Sequence, residues 1–373
     1  MGASRAGFKP LVVIDSDTSV LRHIQENADA GIYPYRDWPL LGVDVRDVAY
    51  SKFGIGVDLV AGGPPCQPFS LGGKHKGSDD HRDMFDEAVR AVSELQPKVF
   101  VFENVKGLTR ETFSRYFEYI RLRLRHPEIV KTSQHIAWTD HLNALENQET
   151  SGSNEGLQYN LVYRVLNAAD YGIPQRRERV FFVGFRSDLH MHWHFPKPTH
   201  SRDALLWSKW REKRLYWDEQ AVAKNDREED TREKARASRL KERPEFKPWK
   251  TVRDALSDLP DPRLLVGPDS RFQNHIFRDG ARQYAGHTGS PLDLPSKTLK
   301  AGVHGTAGGE NMLRMPDGSV RYLTVREAAR LQTFSDDTIF NGTWTQSIRH
   351  IGNAVPCELA ELIFRSIETS IQA

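Results

Sequence analysis

The chain has 373 residues, 52 basic and 50 acidic side chains, a formal net charge of +2 and two cysteines. That length accommodates one large domain and a smaller second one, while Cys66 and Cys357 offer neither a disulfide framework nor a metal-ligand spacing; metal catalysis is not expected. Cysteine usage of this kind makes a reducing cytoplasm the expected setting, and no apolar run reaches membrane-spanning length; the near balance of charge means that any basic cleft for nucleic acid must be local.

From the N-terminus, Met1–Phe8 reads as the end of a helix, Leu11–Asp15 (LVVID) as a strand, and Thr18–Asn27 as the helix after it, capped by Ser16, Asp17 or Thr18. An acidic residue closing such a strand either accepts bonds from ribose hydroxyls or only caps the helix, and the residues alone leave both open for Asp15. A nucleotide-binding α/β domain normally opens with a strand and a Gly-rich turn whose helix amides face the cofactor, and the sequence ahead of this strand holds no such turn.

Val57–Ala61 is an apolar run around Asp58 that suits a buried parallel strand, and Gly62–Ser70, GGPPCQPFS, forces the chain out of the sheet. Cys66 thus falls just beyond a strand's carboxyl end, where open α/β sheets place their active sites, and Pro64, Pro65 and Pro68 restrict its backbone. These features suggest a nucleophile. The polar stretch Leu71–Asp83 carries Lys74, His75 and Lys76, suited to a phosphate backbone. Asp83–Leu95 has helical apolar spacing and is ended by Pro97; Val99–Phe102 then returns to the sheet and delivers Glu103-Asn104-Val105 to the rim expected for Cys66.

Thr112–Leu124 reads as a helix, Ala137–Gly156 as a polar connection and Asn160–Leu166 as a strand. In Tyr171–Gly184, YGIPQRRERVFFVG, Arg177 and Arg179 stand two apart, hence on one face of an extended segment, ahead of the buried strand Val180–Val183. From about Ser187 the texture changes. Trp207–Trp249 is dense in charge with scattered Trp and reads mostly as a solvated helical face, whereas Arg263–Leu294 is loop-rich and holds Arg271, Gln273, Asn274, His275, Arg278 and Arg282, types that bond base edges and phosphates. Thr324 caps Val325–Leu331 with Glu327 at capping-box spacing. Finally IGNAVP, Ile351–Pro356, leads into an amphipathic helix through Leu359, Leu362, Ile363 and Ile367, with Cys357 packed rather than reactive.

GGPPCQPFS, the ENV triplet, Gln175-x-Arg177-x-Arg179, the capped helix and IGNAVP stand in the order found in cytosine-5 DNA methyltransferases of bacterial restriction-modification systems. The chain resembles that family from about Ala6 to its last helix. The resemblance implies a doubly wound, Rossmann-like α/β domain dependent on S-adenosyl-L-methionine, with residues 1–186 catalytic, 187–320 a smaller target-recognition domain and 321–373 a segment returning to the first. It implies that Cys66 attacks a flipped cytosine, Glu103 engages ring nitrogen 3, Arg179 holds the ring carbonyl oxygen and Arg177 supports Glu103. The same resemblance assigns Asp15, Ser16, Asp44, Val45, Pro65, Asn353 and Ala354 to the cofactor, double-stranded DNA as substrate, and a cognate restriction endonuclease as partner. Ahead of Ala6-Gly7-Phe8 the family carries Phe-x-Gly-x-Gly, which this sequence lacks. A start assigned too far downstream, a complementary N-terminal polypeptide and an inactive truncation are the three explanations. Rival readings are a tRNA cytosine-5 methyltransferase and a truncated non-catalytic nucleic-acid-binding protein or regulatory subunit.

Overall fold

The computed structural model describes residues 1–65, 84–131, 136–152, 156–212, 215–227, 230–265, 272–301 and 311–372. Cys66, Lys74, His75, Lys76 and Arg271 lie outside the described residues. In chain order the strands are β1 (Val13–Ile14), β2 (Leu40–Leu41), β3 (Leu59–Gly62), β4 (Val99–Val105), β5 (Tyr159–Asn167), β6 (Glu178–Arg186), β7 (His200–Ser201), β8 (Lys247–Pro248), β9 (Ser290–Pro291), β10 (Met312–Arg314) and β11 (Val320–Tyr322). They belong to two compact units. One comprises Met1–Gly42, Asn167–Arg177 and Pro196–Thr369; the other comprises Val43–Leu166, Glu178–Phe195 and Ser370–Ala373.

The second unit is built on a four-stranded sheet in the order β3-β4-β6-β5. β3 runs parallel to β4, and β4 runs antiparallel to β6. Val99–Phe102 of β4 is buried throughout, which explains its unbroken apolar sequence. Phe85 and Val92 from the helix Phe85–Leu95, Ile120 and Leu124 from the helix Ser114–Arg125, and Phe100, Phe102 and Phe182 from the sheet form one core. Gly184 is needed there because the ring of Phe100 lies across it: a Cβ would come within 2.2 Å of the ring. The stretch expected as a polar connection, Ala137–Gly156, instead contains the helix Trp138–Ser151. Only His141, Leu142 and Leu145 are buried in it, and the Tyr119 hydroxyl meets His141 Nδ1 at 2.9 Å, so a narrow contact stripe suffices to order an otherwise polar helix.

In the first unit, β1 and β2 are a parallel pair whose connection contains the helix Thr18–Asp29, capped by the Asp17 carboxylate, which accepts from Ser19 N–H at 2.9 Å. β7 pairs parallel with β8, and β10 lies between parallel β9 and antiparallel β11. The capping box of Thr324 and Glu327 is present on the helix Val325–Leu331, and Glu327 also takes both terminal nitrogens of Arg321, at 2.7 and 2.6 Å. The helices Trp344–Asn353 and Cys357–Gln372 flank the IGNAVP turn, the latter burying Leu359, Ile363 and Ile367. Among the described residues no helix is long and apolar enough to cross a membrane.

The charged stretch of this unit forms the helices Arg202–Trp210, Leu215–Glu219 and Thr231–Ser238. Most of its charges are solvated, but Lys209 and Glu233 are 2% and 3% exposed and pair at 3.0 Å, with the ammonium 5.2 Å from the ring centroid of Trp217. The two are 24 residues apart and come from different helices, so helical i,i+4 counting does not reveal them. Removing one partner strands the other charge in the core. Lys209→Met is therefore expected to cost about 3–5 kcal/mol in chemical denaturation, and the double variant with Glu233→Met to recover most of that loss.

Candidate active site

The register of β4 against β6 sets Val105 opposite Arg179 and Glu103 opposite Phe181. Glu103 and Val105 point to one face of the sheet, so Arg179 reaches diagonally to Glu103, and its Nε meets Glu103 Oε1 at 2.8 Å. Both side chains are 16% exposed. Burial pushes the arginine's pKa down while the carboxylate holds it up, and the net direction is downward. A second bond runs from Arg179 Nη1 to the Glu178 carbonyl at 2.8 Å.

The GGPP turn is tied to this pair. β3 brings Gly62 level with Phe102, and a Cβ on Gly63 would sit 3.5 Å from Glu103 Oε2. Asn104, buried beside Glu103, donates from Nδ2 to the Pro64 carbonyl at 2.9 Å and accepts Val105 N–H at 2.8 Å. Met84 N–H donates to the Pro65 carbonyl at 3.0 Å, so Pro65 and Met84 are held together. Asn104 was part of the ENV triplet but had no role from sequence; its two bonds supply one.

Arg177 has different partners. It precedes β6, so strand alternation does not govern it, and its guanidinium donates to the carbonyls of Leu299 at 3.2 Å and Gly352 at 2.9 Å. It is 1% exposed.

The residues expected at the cofactor fall in both units. In the first unit, Asp15 closes β1 and its Oδ1 accepts Asp17 N–H at 2.8 Å, with Ser16 exposed beside it. Asn353 ends its helix with an exposed side chain, and Ala354 follows as the cap residue. Sequence reading missed a cluster near this turn: Ser19 Oγ donates to Asp17 Oδ1 at 2.6 Å and lies 3.0 Å from His350 Nε2, while Arg349 Nη2 meets Asp17 Oδ2 at 2.8 Å. The Ser19 bond holds the Asp17 carboxyl below its usual range, and burial lowers His350. In the second unit, Asp44 caps the turn Val45–Asp47 and forms a two-pronged pair with Arg46 at 2.9 and 2.6 Å, which lowers its pKa to about 2. Pro65 is exposed. S-adenosyl-L-methionine presents hydroxyl and amine donors at its nucleoside end, and a half-exposed carboxylate such as that of Asp44 has acceptor chemistry, although Arg46 already engages both its oxygens.

The loop expected to meet bases divides in two. Asn274, at φ 64°, donates to the Phe340 carbonyl at 2.8 Å and accepts its N–H at 3.1 Å. His275 is buried between Thr324 Oγ1 at 2.9 Å and the Pro260 carbonyl at 2.8 Å. Both are structural pins. Gln273, Arg278 and Arg282 are exposed, with Arg278 resting 4.5 Å over the ring of Trp344.

The solved methyltransferase Dnmt2 of S. pombe superposes with a TM-score of 0.53 at 15% identity, covering 100% of this chain and 95% of that one, and defines the fold as Rossmann-like α/β methyltransferase. The C-5 cytosine-specific DNA methylase family matches residues 1–126 and 135–369. The chain belongs to that family and is a DNA cytosine-5 methyltransferase. It is similar to the type II methyltransferase M.NgoMIV of Neisseria gonorrhoeae, 29% identical over 379 residues covering 98% of this chain and 92% of the relative. With M.PspPI of Psychrobacter sp. it shares 28% over 375 residues, covering 100% and 77% respectively. M.AquIA of Picosynechococcus sp. is 32% identical over 273 residues, covering 70% and 84%.

Cys357 is buried, and that burial pushes its thiol up to about 11. A thiol held protonated and shielded does not react with a disulfide reagent. At about pH 8 the native protein is expected to titrate one thiol and the denatured protein both; Cys66→Ala is expected to abolish the native equivalent. Two fast native equivalents would contradict the packing of Cys357.

Proposed function

We propose that the chain methylates carbon 5 of a cytosine extruded from double-stranded DNA, through a covalent adduct of Cys66. The Glu103–Arg179 pair, beside the turn that leads into Cys66, carries this reading. Cytosine carbon 5 is a poor nucleophile, and addition of a thiolate to carbon 6 changes that. Glu103 stabilises ring nitrogen 3 as the thiolate adds, and Arg179 holds oxygen 2, so electron density moves to carbon 5. When bound, S-adenosyl-L-methionine supplies an electrophilic methyl group. Loss of the carbon-5 proton and expulsion of the Cys66 thiolate then restore the aromatic ring.

Asp15, Ser16, Asp44, Val45, Pro65, Asn353 and Ala354 are the residues we assign to the methyl donor. Residues 187–320 are assigned to target recognition, with 1–186 and 321–373 forming the catalytic part. Extruding a stacked base costs on the order of a few kcal/mol. Exposed Gln273, Arg278 and Arg282 suit the contacts that offset it, by bonding bases and phosphates. The type II names of the relatives favour a cognate restriction endonuclease as functional partner and a cytoplasmic site of action.

A duplex containing 5-fluorocytosine tests the adduct, because fluorine cannot leave as the proton does and the enzyme stays attached. The intact protein with S-adenosyl-L-methionine is expected to form a denaturant-stable complex. Cys66→Ala is expected to form none and to transfer no methyl, while still binding duplex in an anisotropy titration. Methylation surviving in that variant would reject the nucleophile.

A further inference from the structure

Gln175, Arg177 and Gln332 are buried almost completely, at 0%, 1% and 0% exposure, and together they grip one turn of the chain. The helix Trp344–Asn353 ends at that turn, where the last carbonyls of any helix lose their intrahelical donors. Gln332 Nε2 donates to the carbonyls of Ile351 at 2.7 Å and Ala354 at 3.0 Å. Arg177 Nη2 donates to the carbonyl between them in sequence, that of Gly352. A guanidinium at a helix C-terminus also meets the negative end of the helix dipole.

Gln175 locks the two grips together. Its Nε2 donates to Gln332 Oε1 and to the Leu331 carbonyl, both at 3.1 Å, and its Oε1 accepts Leu299 N–H at 3.1 Å. The backbone repeats the connection: Arg176 N–H donates to the Ser296 carbonyl at 2.8 Å, and Thr298 Oγ1 to the Arg176 carbonyl at 2.7 Å. Gly352 packs directly on the main chain of Lys300 and Ala301, where a Cβ would fall 2.7 Å from Ala301 N. The turn is therefore over-determined by side chains that hold it from beneath.

We propose that Arg177, with Gln175 and Gln332, is a positioning residue for the methyl donor: it fixes the Gly352-Asn353-Ala354 turn rather than acting on the base. This rests on the assignment of Asn353 and Ala354 to S-adenosyl-L-methionine. Its neighbour in the motif, Arg179, has the Glu103 carboxylate as partner, so the two arginines divide between donor and base.

Calorimetric titration of the full chain with S-adenosyl-L-methionine, and initial rates at saturating duplex DNA, separate the roles. Wild-type protein comes first: if it fails to bind the donor, the donor assignment falls and the proposal with it. Given binding, Arg177→Met and Gln332→Met are each expected to weaken Kd and raise donor KM on the order of 10- to 100-fold, because buried carbonyls lose their donors. At saturating donor, kcat is expected to stay within a few fold. Arg177→Lys, keeping the cation and one donor, is expected to recover part of the affinity. Arg179→Ala should give the opposite split, unchanged donor Kd and a kcat lower by about 10²–10³-fold. Unchanged donor Kd with reduced kcat in Arg177→Met would make Arg177 a residue of the base and overturn the proposal. If that variant does not fold, Gln332→Met decides: an unaltered donor Kd there overturns it equally.

Discussion

The antiparallel pairing of β4 with β6 is the constraint on which the proposed active site depends. Those strands are far apart in sequence, yet their register places a guanidinium from one diagonally across from a carboxylate of the other. A slip by one residue would turn Arg179 to the opposite face and break the pair. Register is held by apolar pairs beneath the site, Val101 opposite Val183 and Phe102 opposite Phe182, all buried. Chemistry at the rim and packing in the core are thus one geometric fact.

Electrostatics reinforce the division. At the rim, a largely desolvated cation meets one carboxylate, an arrangement suited to charge that develops during reaction. Beneath the IGNAVP turn, a buried cation donates to two backbone carbonyls, an arrangement suited to holding shape. Two arginines separated by a single residue therefore do unlike physical work. Their spacing conceals this because Arg177 precedes the strand, in a turn where its own N–H bonds the Gln175 carbonyl.

Much of the scaffold was legible because its signals are local. The apolar run Val99–Phe102, the helical spacing read over Asp83–Leu95 and the Thr324–Glu327 box each depend on residues near in sequence; the run and the box appear as read, and the helix spans Phe85–Leu95. What escaped is non-local. The helix Trp138–Ser151 owes its order to packing and to a Tyr119–His141 contact. Lys209 and Glu233 look like surface charges until another helix buries them. Asn274 and His275 have the composition of a base-reading loop, but their polar atoms are spent on Phe340, Thr324 and Pro260. Gln332, the hub beneath the IGNAVP turn, carries no sequence signal at all, since its side-chain bonds run to Gln175, Ile351 and Ala354, all distant in sequence.

Anchoring of Asn274 and His275 also bears on how such a protein diversifies. The two pins fasten one end of an exposed run, Ile276 to Arg278, to the scaffold, so that end is held by residues outside the run. Under the proposed assignment of residues 187–320 to target recognition, a lineage can sample new target preferences there by drift. Evolvability in this stretch has a structural boundary, and it runs between His275 and Ile276.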